Sequence, residues 1–117
     1  MSMRALKEAI VQKIPDFDVI RQVLTEKPEY MRQVIDMRAT GTPLHCAAKA
    51  DTAFCRVRNS VTELLLNEFD ADPNICNVHN SSPAIWVCAQ LGSENTPGDK
   101  LHAIKCIMNN PKFDMEF

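Results

Sequence analysis

The chain has 117 residues, 45% of them hydrophobic and 24% charged, with only three glycines, so it reads as one compact globular domain or a fragment of a larger one, and not as a disordered or fibrous chain. Its net charge of -2 comes from interspersed signs, and the basic run at 56–58 is too short to neutralise a row of phosphates, which argues against nucleic acid as a partner. No window approaches the apolar length that spans a bilayer, and charges at Arg4, Lys7 and Glu8 break any leader-like run, so neither a membrane partner nor a targeting signal is read.

The first predicted element is a short helix around LKEAIV (6–11). A longer one follows, carrying the apolar stripe Ile20, Val23 and Leu24 at spacings of three and four. The polar segment 26–43 leads to PLHCAA (43–48), a second short helix. Thr42 is placed as its N-cap and Pro43 at its first position, where a missing N–H costs nothing. Leu44, Ala47 and Ala48 share one face, and the alanines allow neighbouring helices to approach closely.

After a long connection at 49–60 the stripe returns at Val61, Leu64 and Leu65. Asn74, Asn77 and Asn80 then mark an extended, turn-rich excursion. Ser82 and Pro83 repeat the cap pair ahead of PAIWVC (83–88), and a second irregular connection spans 92–100. The stripe appears a third time at Ile104, Ile107 and Met108, before the tail NNPKFDMEF. A short helix, a connection and a longer helix thus recur three times, which is the signature of a repeat architecture.

The residues TPLHCAA (42–48), VTELLL (61–66) and DADPN (70–74) resemble an ankyrin repeat, and Asn74-x-x-Asn77-x-x-Asn80-x-Ser82-Pro83 is similar to that family's loop into the next unit. The resemblance implies an all-α, ankyrin-like solenoid of antiparallel helix pairs with projecting loops, in units at about 4–36, 37–76 and 77–117, with two long inter-helix insertions at 49–60 and 92–100. The middle unit matches strongly. The last has Ser82, Ala84 and Ile85 in place of Thr, Leu and His, and the first lacks the TPLH pattern. His45 is then a structural residue whose imidazole nitrogens tie adjacent turns together, since no nucleophile constellation stands beside it.

With Leu44 facing the core, register turns Cys46 and Lys49 towards the exposed side of the short helices, with Glu8 and Gln12 matching them in the first unit and Trp86 and Gln90 in the last. Trp86, the single tryptophan, is either the candidate anchor of a protein interface or a side chain that packs between helices in the space left by Ala84. Arg38, Asn77 and His79 join that surface at the loop tips. The function expected is a non-enzymatic protein–protein interaction module; the alternative is a structural or capping segment that positions another domain of a larger effector or enzyme.

Five cysteines, an odd number without a disulfide framework, fit free thiols in a reducing, cytoplasmic or otherwise intracellular setting. Cys76-x-x-His79 and His102-x-x-x-Cys106 offer two ligand pairs for zinc, but the repeat register puts the first in a projecting loop and Cys106 inside a helical stripe. No metal ligands and no cofactor are therefore assigned. The apolar tail residues Phe113, Met115 and Phe117 either fold back over Ile104 and Ile107 as a cap, or the chain is the front part of a longer protein, in which case the exposed flank favours homo-association.

Overall fold

The computed structural model describes residues 3–33, 41–75 and 101–113. Its elements are all helical: α1 (Met3–Val11), α2 (Phe17–Glu26), a 3-10 helix (Pro28–Arg32), α3 (Pro43–Ala53), α4 (Val61–Glu68) and α5 (His102–Met108). The connection expected at 92–100 and the helix expected at 83–88 lie outside the described residues.

α1 buries Leu6, Ala9 and Ile10, a stripe at spacings of three and four, while Arg4 and Glu8 pair on its exposed face at 3.2 Å. Pro15 disfavours helical backbone at the residue before it, so the chain breaks after α1. Asp16 restarts it as N-cap of α2, accepting from the Val19 N–H at 3.2 Å, and Asp18 adds a negative charge to the positive end of the helix dipole. Ile20, Val23 and Leu24 are buried, as their periodicity predicts. Pro28 cannot donate into the ladder and opens the 3-10 helix, which buries Met31.

Gly41 has φ 116°, a left-handed backbone that glycine adopts without steric cost, and it delivers Thr42 to the N-cap of α3. Nine of the eleven α3 residues are buried, because the helix packs against α1, the 3-10 helix, α4 and α5. An element enclosed in this way has no polar face to offer. Cys46 belongs to that core at 1% exposure, which corrects its expected place on an accessible surface.

α3 ends in a Schellman motif. Phe54 is the C-cap, the Cys55 N–H bonds the Thr52 carbonyl at 3.4 Å and the Arg56 N–H bonds the Asp51 carbonyl at 2.9 Å. Cys55 occupies the left-handed position with φ 52°, where glycine is usual. Part of the segment 49–60, expected as an inter-helix connection, is helical, since α3 runs on to Ala53.

α4 buries Val61, Leu64 and Leu65 as predicted, and α5 buries Ala103, Ile104 and Ile107. Met108, expected in the same stripe, is 45% exposed at the last position of α5, where the chain turns away through Asn109 and Asn110. Asn74 donates to the Lys112 carbonyl at 2.6 Å, and Lys112 pairs with Asp70, so the exit of α4 is tied to the end of α5.

Candidate functional site

The segment between α3 and α4 builds a joint. Arg56 has a side chain only 1% exposed and sends one guanidinium nitrogen to the Ile10 carbonyl at 2.8 Å and to Asp51 Oδ1 at 3.2 Å. Its other terminal nitrogen donates to the Gln12 carbonyl. These are carbonyls at the C-terminal end of α1, which an α-helix leaves without internal partners and which attract cations. Asp51, fully buried, also accepts from Ser60 Oγ at 2.9 Å and from the Val61 and Thr62 amides at 3.1 and 2.8 Å. The carboxylate thus neutralises the N-terminal end of α4 while the guanidinium neutralises the C-terminal end of α1, and the two charges satisfy each other. Ser60 adds the ordinary cap, accepting from the Glu63 N–H at 3.2 Å.

Four apolar side chains in the segments that carry the joint are exposed: Val11 and Ile14 on either side of Gln12 in sequence, and Phe54 and Val57 on either side of Arg56. Phe54 lies with its ring 5.1 Å from the Arg56 guanidinium carbon. Gln12 and Glu8 are also exposed, and Lys49 is half-buried on α3. Trp86, Gln90, Arg38, Asn77, His79, Ser82 and Pro83 lie outside the described residues.

Within the structural motif, Leu44, Ala47 and Ala48 are buried, Pro43 takes the first helical position and Thr42 the N-cap. His45 Nδ1 accepts from the Thr42 N–H at 3.3 Å and lies 2.7 Å from Thr42 Oγ1. The Thr42 amide can only donate, so Nδ1 is the unprotonated ring nitrogen and receives the hydroxyl proton as well. This nitrogen closes the first turn of its own helix rather than bridging to another turn.

A second grouping joins α4 to α5. His102 Nε2 is 2.9 Å from Glu63 Oε1, and Cys106 Sγ is 3.5 Å from each of these atoms. The three line a groove of about 420 Å³ with Leu66, Asn67 and Lys105 among its other walls. Burial above all, and then the facing Glu63 carboxylate, push the Cys106 thiol up to about 12, so at neutral pH it is a protonated donor to Glu63 and no nucleophile. The sequence singled out His102 and Cys106 but joined them to Cys76 and His79, which lie outside the described residues. Glu63 was missed because nothing in the stripe of α4 states which helix its flank will face.

Of the other cysteines described, Cys46 is buried and Cys55 exposed, and no disulfide joins any of the three among the described residues. Among the described residues no helix is long and apolar enough to cross a membrane.

Residues 41–78, a third of the chain, match the ankyrin repeat family model. The match spans the TPLH turn, α3, the Asp51–Arg56 joint and α4. No curated protein and no solved structure matches the chain. The described architecture is all-α and consistent with ankyrin-like repeats, a class of fold that is generally non-catalytic and mediates contacts between proteins.

Proposed function

We propose that the chain is a non-enzymatic module that binds a protein partner through the inner face of its short helices and its loop tips, with Glu8, Gln12 and Lys49 contributing and Trp86, Gln90, Arg38, Asn77 and His79 extending the surface. The observation that carries this reading is the ankyrin repeat at 41–78, whose helix pair is joined rigidly to α1 through Arg56. Loops fixed on a packed array are where such folds place specificity. The exposed apolar group Val11, Ile14, Phe54 and Val57 supports an interface at this joint, because aromatic and aliphatic anchors dominate desolvated contact centres.

The test is affinity capture from a cell extract with the intact chain, a Trp86→Ala form and a Phe54→Ser/Val57→Ser form. Each variant is first shown to keep its helical circular dichroism. Loss of a specific, saturable partner in either variant supports the assigned surface. An unchanged partner set in both refutes it.

A further inference from the structure

We infer that Glu63, His102 and Cys106 form a zinc site that clamps α4 to α5. His102 and Cys106 are four residues apart on α5, so their side chains rise from one face a single turn apart, and Glu63 reaches the same point from α4. Their ligand atoms are one imidazole nitrogen, one thiol sulfur and one carboxylate oxygen, all within 4.8 Å of one another.

The spacing can be compared with a tetrahedral ion. Zinc bonds of about 2.3 Å to sulfur and about 2.0–2.2 Å to nitrogen and oxygen give sulfur edges of about 3.5–3.7 Å and a nitrogen–oxygen edge of about 3.3–3.5 Å. Both sulfur edges here are 3.5 Å, which fits. The nitrogen–oxygen edge is 2.9 Å, short by the amount expected when those atoms share a hydrogen instead of a metal, and a small rotation of the half-exposed Glu63 side chain opens it.

The donor set selects the metal class. A thiolate with an imidazole suits zinc and disfavours magnesium and calcium, which require oxygen. On binding, Cys106 releases its Sγ proton to solvent, His102 gives up the Nε2 hydrogen it shares with Glu63 and binds through that nitrogen as the neutral imidazole with its hydrogen on Nδ1, and Glu63 exchanges its two hydrogen bonds for one coordinate bond. The groove leaves room for water as fourth ligand.

The experiment uses the full chain stripped with a chelator and titrated with Co²⁺, then with Zn²⁺. The expected result is one Co²⁺ per chain, with tetrahedral visible bands, a near-ultraviolet sulfur-to-cobalt charge-transfer band, and displacement by Zn²⁺. Cys106→Ala abolishes the charge-transfer band, and His102→Gln weakens binding about a hundredfold or more, beyond the effect typical of an outer-shell neighbour. Cys55→Ser, at an exposed thiol away from the groove, leaves binding unchanged. Circular dichroism establishes that each variant is folded. Should Cys106→Ala fail to fold, His102→Gln and Glu63→Gln decide alone. Absence of cobalt binding to the intact chain, or binding that survives in the folded ligand variants, overturns the assignment.

Discussion

Removing Asp51 should destabilise the fold more than removing Arg56, although the two form one buried pair. Deleting either partner of such a pair typically costs about 3–5 kcal/mol, because the other is left as an uncompensated charge. The structure breaks this symmetry. In Arg56→Met the methionine covers much of the volume of the arginine stem, and Asp51 keeps Ser60 Oγ and the Val61 and Thr62 amides, three donors at the positive end of α4. That variant falls at the low end, about 3 kcal/mol. In Asp51→Ala the guanidinium retains, among the described residues, the Ile10 and Gln12 carbonyls and the Phe54 ring but no negative charge, and two amides lose charge-assisted bonds worth about 1.5–3 kcal/mol each.

Asp51→Ala therefore reaches about 5 kcal/mol or more, a large share of the about 5–15 kcal/mol available to a small domain. Urea unfolding followed by circular dichroism measures both losses. The double variant should lose less than the sum by about 1–3 kcal/mol, the coupling that a shared network carries. Since both side chains are at most 1% exposed, raising salt to about 1 M should leave the losses in place. An Arg56→Met loss larger than that of Asp51→Ala, or additivity within about 0.5 kcal/mol, would refute the reasoning.

Cys55→Gly should stabilise the chain by about 1 kcal/mol, since a non-glycine residue at φ 52° carries that order of steric cost; an unchanged urea midpoint would count against it. Thr62 is fully buried and its hydroxyl has no partner among the described residues, so Thr62→Val should be neutral or stabilising by up to about 1 kcal/mol, and a clear loss would reveal an unrecognised bond. Arg21 and Glu68 pair at 3.0 Å with both side chains about half exposed, and the bond from Arg21 lowers the Glu68 carboxyl below its ordinary value. The contribution of that pair is present above the ordinary glutamate range and fades as pH falls through the lowered value; Glu68→Gln should remove this pH dependence, and high salt should mask it.

What was legible in the sequence is what repeats locally. Ile20, Val23, Leu24, Val61, Leu64, Leu65, Ile104 and Ile107 are buried because a helix of 3.6 residues per turn places them on one face, and the spacing alone states this. Thr42 and Pro43 likewise carry their own geometry. Cys46 was misplaced because register identifies the face of a single amphipathic helix, while α3 is surrounded by several partners and buries nearly its whole circumference. Arg56 lay in a segment that reads as polar connection, and its partners at Ile10 and Gln12 are more than forty positions earlier, beyond any local period. Glu63 and His102, 39 positions apart, meet for the same tertiary reason.

The two groupings that the sequence concealed act at different helix boundaries. Arg56 and Asp51 join the end of α1 to the start of α4, whereas Glu63, His102 and Cys106 join α4 to α5. Because α3 packs against both α1 and α5, the core alone would let either end respond to damage at the other. Local stability differs across a fold when particular contacts hold particular elements, and hydrogen exchange separates that case from global opening. In Arg56→Met, amides of α1 should exchange faster while those of α5 keep most of their protection. Acceleration by one common factor throughout would mean that Arg56 supports the whole core, and the joint would then transmit a partner's contact at Val11 or Phe54 to every helix instead of confining it to the first pair.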